Sequence, residues 1–494
     1  MKTGFGLLFF TLLFINSFSQ GISNQWIFGY QGGGGHILLD FDSSIVQVDT
    51  FPANISFKEA NSSICDKNGN LLFFTNGICI GNKLLDTMQN GGGLGPGKFA
   101  NTWKLWGSPL SQAALIIPFP ADSNKYYLFH VTATEKNNGD LLPPHQLLET
   151  IVDMSLDSGR GAVTLKNYTV LSDTIMYGKI TACKHANGRD WWVICHRTRS
   201  TQFYKLLITP QGILGPFAQN IGSPFYEGIF GQTVFSPDGT HYAYYNLQDG
   251  IHILDFDRCT GDFYNPRHFT TLDSGFISSV AISPNSRYLY ASNFLRVYQF
   301  DLQAANIQGS MDTVAVYDGF SSPQPPFYTQ FYLAQLAADG KIYLSSPGGV
   351  KHLHVINYPD SANNACGFVQ HSLFLKAYNA GSIPNLPNYF LGPLSGSICD
   401  TLNMGNQETV VKQLNLRIAP NPVQDILYIK YTPQSTSLTL KIYDMNGKKV
   451  QHSKLPPWSQ IQSFDVSNFK DGIYQVKISS NKELGSIKFL KIKE

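Results

Sequence analysis

The sequence predicts an all-β protein: a β-propeller of seven blades followed by a small immunoglobulin-like β-sandwich. Three features carry that prediction. Aromatic residues form 13% of the 494-residue chain, beside 44 Gly and 26 Pro, the mixture expected of short strands joined by tight turns. An apolar strand, an Asp-Gly, Asn-Gly or Pro-Asn turn and an aromatic-rich strand recur along most of the chain. No long stretch carries the i, i+3, i+4 apolar spacing of a helix.

The first element is a targeting segment over residues 1–19. Lys2 supplies the positive start, Gly6 to Ile15 the apolar run, and Ser17-Phe18-Ser19 the small residues of a cleavage site. Cleavage between Ser19 and Gln20 is the expectation. The apolar run is too short to span a bilayer, and no later stretch reaches the ~18 apolar residues of a membrane helix. The mature chain should therefore carry no transmembrane segment.

Residues 20–395 read as the propeller. The turn-plus-aromatic signal occurs at Asp66 to Asn70 before Leu71, at Asn187 to Asp190 before Trp191, and at Ser236 to Gly239 before Thr240. It returns at Ser283 to Asn285 and at Ala338 to Gly340. Recognisable units begin near residues 57, 111, 180, 230, 277 and 333. The later spacing is the period of propeller blades, in which each sheet buries its faces against its neighbours. The segments near Trp26 to Gly29 and Asn385 to Phe390 are expected to combine and close the ring. That makes seven blades, with six and eight as the neighbouring solutions.

The pattern stops after Leu394, and residues 396–412 read as a polar linker. Residues 413–494 carry new alternating strands at Ile426 to Tyr431, Leu438 to Tyr443, Gln462 to Val466, Ile473 to Ile478 and Ser486 to Ile492. Turns at Met445 to Lys448 and Lys470 to Gly472 separate them, as in a small sandwich.

Composition removes several function classes. A net charge of +2 and 14% charged residues argue against nucleic-acid binding, which needs a basic face. A hydrophobic content of 43% argues against disorder. Seven cysteines leave at least one thiol without an intramolecular partner. Cys65 and Cys79, two strands apart in one meander, are too distant to pair. Cys183 and Cys195 flank the Asn187-Gly188 turn and are a candidate disulfide, provided the register sets them opposite. Cys366 and Cys399 are equally possible partners.

No motif identifies a catalytic centre, a metal or a cofactor. There is no G-x-S-x-G, no H-E-x-x-H, no Walker A and no C-x-x-C. The runs Gly32 to Gly35 and Gly91 to Gly93 precede no helix and read as loops. His185, Asp190 and His196 surround one hairpin, either as a polar binding site or as hydrogen-bonding residues of a blade turn. His352 and His354 share a strand face without a visible third ligand. Asp66, Asn68 and Asn70 alternate like a calcium loop but lack the distal Glu.

Residues near the C-terminus resemble the type A sorting domain of the type IX secretion system of Bacteroidetes-type bacteria. The resemblance rests on Ala419-Pro420-Asn421-Pro422, on Leu440 to Lys448 with Asp444, Gly447 and Lys448, on Asp465-Val466 with Gly472 and Tyr474, and on a basic final strand with Lys491 and Lys493. It implies passage through the periplasm and across the outer membrane, with the secretion machinery and a sorting peptidase as partners. The terminal strand is an edge open to recognition by strand addition. The body, over residues 24 to 392, resembles a family of secreted propeller-like proteins from the same bacteria. Its motifs include Trp26 to Gly29, Asn68 to Gly77, Ser111-Gln112-Ala113-Ala114, Gly231-Gln232 and Ile383 to Phe390. That family implies fold and compartment and no activity.

The functional expectation is a secreted or cell-surface binding or scaffold module whose ligand is a glycan, a peptide or another surface protein. The alternatives are a polysaccharide-active hydrolase or lyase, and a structural component of an adhesion or gliding layer.

Overall fold

A computed structural model describes residues 21–493, apart from 401–413, 226–229, 274–277 and scattered positions at 44, 53, 121, 137, 247–248, 272, 415, 433, 435–436, 458, 460 and 481–482. The expected signal segment, the Ser19/Gln20 cleavage point and most of the expected linker lie outside the described residues.

Seven antiparallel sheets follow one another along the chain. Blade 1 is β1 (Gln25–Tyr30), β2 (Gly35–Asp40) and β3 (Gln47–Phe51). Blade 2 is β4 (Ser62–Cys65), β5 (Leu71–Thr75) and β6 (Ile80–Asn82). Blade 3 is β7 (Ala114–Pro118), β8 (Lys125–Val131), β11 (Gln146–Asp153) and β12 (Ala162–Ser172). The short pair β9 (Thr134–Glu135) and β10 (Leu141–Leu142) lies in its β8–β11 loop. Blade 4 is β13 (Thr181–Lys184), β14 (Trp191–His196), β15 (Gln202–Thr209) and β16 (Gly212–Asn220). Blade 5 is β17 (Gln232–Phe235), β18 (His241–Asn246), β19 (Gly250–Phe256) and β20 (Phe263–Phe269). Blade 6 is β21 (Ser279–Ile282), β22 (Tyr288–Ser292), β23 (Arg296–Asp301) and β24 (Asp312–Val316). Blade 7 is β25 (Ala334–Leu336), β26 (Ile342–Leu344), β27 (Val350–Ile356) and β28 (Phe368–Asn379).

The turns explain why the strands start where they do. Ser236 Oγ accepts the His241 amide at 2.9 Å and donates to Asp238 Oδ1 at 2.5 Å. Ser283 repeats the device with Tyr288 at 2.8 Å and Asn285 at 2.7 Å. The Ser-Pro-Asx signature is thus a side chain closing the hairpin, which competes locally with any helix.

The apolar core is a chain of inter-blade clusters. Tyr242, Trp192 and Phe203 join blades 4 and 5. Ile253, Leu289 and Phe300 join blades 5 and 6, and Tyr290, Phe331 and Ile356 join 6 and 7. Trp26, Phe28 and Leu39 of blade 1 pack on Tyr343, Leu353 and Leu375 of blade 7 and on Phe74 of blade 2. Ring closure is therefore side-by-side packing, and it corrects one expectation. Trp26 to Gly29 pair in β1 with β2 of their own sheet, and residues 384–390 form no strand. Those residues fill the axis instead.

The C-terminal unit is two facing sheets. One contains β29 (Arg417–Ala419), β30 (Ile426–Lys430) and β33 (Ile461–Asp465). The other has the order β32 (Lys449–Leu455), β31 (Leu438–Asp444), β34 (Gly472–Ser479) and β35 (Glu483–Lys491). Leu427, Ile442, Val476 and Phe489 form its own core. It meets the propeller where Tyr428 stacks on Tyr358, with ring centroids 5.8 Å apart, and where Arg417 donates to the Asp42 carbonyl at 3.0 Å.

Candidate functional site: the propeller axis and its inlet face

Every inner strand of blades 2 to 7 runs from one face, here the inlet, to the face of the Asx-Gly turns, here the outlet. The residues just before these strands ring the inlet end of the axis. Gln112, ahead of β7, donates through Nε2 to the Thr233 carbonyl at 2.8 Å, and the Thr233 amide donates back to Oε1 at 2.8 Å. Gln232 makes the same pair of bonds with Ala334, at 2.6 and 3.1 Å. These two amides are chords across the ring, joining blades 3 to 5 and 5 to 7.

The axis itself holds the chain's own return segment. Asn385 donates from Nδ2 to the carbonyls of Ala114 and Ile180, both at 2.9 Å, and its Oδ1 accepts Gln112 Nε2 at 3.2 Å. Its backbone N–H donates to Asn61 at 2.9 Å, and its carbonyl accepts Ser62 Oγ at 3.2 Å. One asparagine thus ties blades 2, 3 and 4. Further on, Asn388 donates to the Pro237 carbonyl at 2.6 Å and Tyr389 to the Ile116 carbonyl at 2.8 Å. Arg258, fully buried, donates to the Gly392 carbonyl at 2.5 Å and to the Lys184 carbonyl at 2.8 Å. A disulfide between Cys259 and Cys399 then fastens the end of the segment to the β19–β20 turn of blade 5. The space left between Leu386, Phe390, Val234, Ala281 and Ala334 is about 120 Å³. Ligand pockets occupy roughly 300–1,000 Å³.

Three buried ionisable groups surround the inlet end. Tyr332 OH donates to Glu59 Oε2 at 2.6 Å, and Lys179 Nζ donates to the Tyr177 carbonyl at 2.9 Å. Burial pushes the Glu59 carboxyl up to about 7, against the Tyr332 hydrogen bond and the Lys179 charge. Burial also pulls the Lys179 ammonium down to about 7, against the Glu59 charge. Such groups can exchange a proton near neutrality, yet they face a packed axis.

Outside the axis, the inlet face carries a run of aromatic rings. Trp106, 50% exposed, lies 6.3 Å from Tyr30. Tyr30, at the end of β1, is pushed above the usual phenol range by burial and then by the neighbouring Tyr378. Tyr378 lies 6.5 Å from Phe327, which is 40% exposed, and Lys351 Nζ sits 4.6 Å from the Tyr378 ring centroid. Gly33 lets the β1–β2 loop fold onto Tyr30: a Cβ there would lie 2.7 Å from the ring.

His185, Asp190 and His196 do not share a site. His185 Nε2 meets the Cys259 carbonyl at 3.0 Å, and Asp190 accepts Asn187 Nδ2 at 2.8 Å and Arg189 Nε at 2.6 Å. His196, at the other end of β14, bonds Tyr242 OH at 2.7 Å and stacks on Phe225 at 4.3 Å. Its pKa is driven well down, first by burial. The Cys183–Cys195 disulfide is also corrected. In the ladder Cys183 sits opposite Trp192, so Cys195, three residues on, points to the other face of the sheet, and both thiols are free and buried. Cys366 is free and buried, and Cys399 takes Cys259, a pairing outside those expected. His352 contacts Phe320 and Phe374, while His354 uses Nε2 on Ser346 at 3.1 Å and Nδ1 on the His371 amide at 3.0 Å. Asp66 spends its carboxylate on the amides of Asn68 and Asn70, closing the hairpin.

In the C-terminal unit, Asp444 Oδ1 accepts the amides of Asn446 and Lys448 at 3.0 and 2.9 Å around Gly447. Asn421, between Pro420 and Pro422, accepts the Leu490 amide at 2.8 Å. Tyr474, just after Gly472, stacks on Phe489 at 5.4 Å. Lys491 is buried beside the Val423 bridge, and the Lys493 amide donates to Asp471 at 2.8 Å. Strand β35, which ends at Lys491 two residues before Lys493, is an edge of its sheet.

A propeller joined to this sandwich defines an exported β-propeller protein whose tail is an address. Residues 417–493 match the family described as a secretion system C-terminal sorting domain. The chain is therefore sent by the type IX system to the cell surface or the extracellular space. No curated protein matches the chain. Among solved structures it is similar to a functionally unknown protein from Desulfotomaculum acetoxidans, at 17% identity and TM-score 0.35, covering 73% of this chain and 96% of that one. It is similar to a putative 6-phosphogluconolactonase from Bacteroides fragilis, at 12% identity and TM-score 0.39, covering 73% and 98%. It is also similar to the Cps50 (Swd1) β-propeller domain of Myceliophteria thermophila, at 10% identity and TM-score 0.37, covering 65% and 96%. These alignments are loose, and the propeller assignment rests on the seven sheets themselves. Among the described residues no helix is long and apolar enough to cross a membrane.

Proposed function

We propose that the protein is an extracellular binding module that holds glycan chains on the inlet-face aromatic run. The observation behind this reading is the contrast between the propeller axis and its inlet face. The axis is filled by residues 384–390, whereas Trp106, Tyr30, Tyr378 and Phe327 form a half-exposed run over the inlet face. Aromatic rings with one wet edge suit the apolar faces of sugar rings, and Lys351 beside Tyr378 adds a donor.

The test is a glycan array with the full chain, followed by titration of the best ligand. Trp106→Ala should weaken binding roughly 30-fold, the about 2 kcal/mol of an aromatic anchor. Unchanged affinity in both Trp106→Ala and Tyr378→Ala would remove this surface from the account.

A second reading, a polysaccharide-active enzyme, draws on Glu59, Lys179 and Tyr332, which combine perturbed acidity with close contact. It requires Glu59→Gln to abolish turnover of a saccharide without changing its binding.

A further inference from the structure

At the inlet-side rim of blade 5, three metal-ligating side chains converge. Asp249 ends the β18–β19 turn, His252 follows on β19, and His268 stands directly opposite His252 on β20. The candidate ligand atoms of the three all lie within 4.8 Å of one another. His252 Nε2 is 2.7 Å from Asp249 Oδ2, and His268 Nε2 meets the Asp249 backbone carbonyl. The two imidazoles lie 4.6 Å apart between centroids. Two imidazoles, a carboxylate and a carbonyl therefore lie close together.

The surroundings hold that geometry. His252 is buried, with Phe225 4.7 Å from its ring, and Phe225 in turn lies on buried His196. Gly250 has φ +93°, and a Cβ there would meet the Phe269 carbonyl oxygen and lie 2.9 Å from His268 Nε2, so the close approach of β19 and β20 at this point requires glycine. A cleft lined by Gly222, Ser223, Phe225, Pro266 and His268 opens beside the cluster. Arg267, which also lines that cleft, is paired with Asp255.

We propose that Asp249, His252 and His268 form a divalent transition-metal site, with Zn²⁺ as the fitting ion. Zinc takes imidazole nitrogen and carboxylate oxygen at about 2.0–2.2 Å in a tetrahedron, so binding would part the His252–Asp249 hydrogen bond slightly and draw the wider-spaced atoms together. Two nitrogens with one carboxylate oxygen favour zinc, nickel or copper over the all-oxygen sites of calcium and magnesium. Three protein ligands leave a position open to water or an external ligand on the cleft side. The site is separate from the aromatic run and from the axis.

The test uses the full chain, stripped with a chelator and titrated with Zn²⁺ alone by calorimetry, with the bound metal counted by elemental analysis. The proposal expects one equivalent per chain, and at least a tenfold loss of affinity in His268→Ala and in Asp249→Asn. His371→Ala, on the neighbouring His352 and Asp318 cluster of blades 6 and 7, should leave the titration unchanged. Co²⁺ in place of Zn²⁺ should give visible absorption of a four-coordinate site, lost in His268→Ala. Absence of binding at 1:1 stoichiometry, or equal binding by the parent, His268→Ala and Asp249→Asn chains, overturns it. Folding of each variant is read from its far-ultraviolet spectrum, and the exposed position of His268 makes that variant the decisive one.

Discussion

Replacing Asn385 by Ala tests the most specific feature of the axis. The side chain makes three hydrogen bonds there: two donated to the Ala114 and Ile180 carbonyls at 2.9 Å and one accepted from Gln112 at 3.2 Å. Each is worth about 1 kcal/mol net, and a buried polar group left without a partner costs about 1–3 kcal/mol. Ala cannot replace any of them, and the small void admits no ready rearrangement of a packed axis. The sum is a loss of about 4–6 kcal/mol, a large part of the roughly 5–15 kcal/mol that holds a domain together. Guanidinium denaturation followed by tryptophan fluorescence reads it directly, because Trp26, Trp103, Trp106, Trp191 and Trp192 all precede residue 395. A loss below about 0.5 kcal/mol, the scale of surface substitutions, would refute the claim that this residue ties three blades together.

Two further outcomes follow from the same structure. The Cys259–Cys399 bond closes a separation of 140 residues, so Cys399→Ser should cost up to about 5 kcal/mol on the chain-entropy account; a non-reducing peptide map should join those two cysteines, and a map joining Cys183 to Cys195 would contradict the register. Glu59 has a folded pKa raised by burial from 4.5 to about 7, so its contribution is fully present below pH 4.5 and is lost as the pH rises towards 7. Lys179, lowered by burial from 10.5 to about 7, contributes fully above pH 10.5 and loses that as the pH falls towards 7. Glu59→Gln should therefore flatten the decline of the denaturation midpoint between pH 4.5 and 7, a term of about 3 kcal/mol; an unchanged decline would mean that Glu59 is not the group responsible.

Most of the architecture was legible because it is local. A Ser-Pro-Asx turn places its own hydroxyl on the following strand, as Ser236 and Ser283 do, so the blade starts could be read from short windows. The units expected near 111, 180, 230, 277 and 333 begin as strands at Ala114, Thr181, Gln232, Ser279 and Ala334. The failures are all non-local. Cys259 and Cys399 are too far apart in sequence for any turn to reveal them, and Cys183 and Cys195 failed on strand register, which flips a side chain with each single residue. The cluster of Glu59, Lys179 and Tyr332 draws on three separate inter-blade loops, and nothing in any one of them marks the others. Asn385 and Gln112 were visible as parts of motifs, but their meeting across the axis is a property of the closed ring. His252 and His268 carried no signal until β19 and β20 set them opposite each other.

If the inlet-face rings hold the ligand, the propeller binds on its face and not along its axis. Hydrogen–deuterium exchange of the full chain, with and without a saturating oligosaccharide, tests it most directly. New protection is expected at residues 30–35, 103–107 and 376–379, with residues 383–391 already protected in the free protein and unchanged. Slow exchange gained only within 383–391 on adding ligand would mean that the return segment gives way to the sugar, and would contradict it.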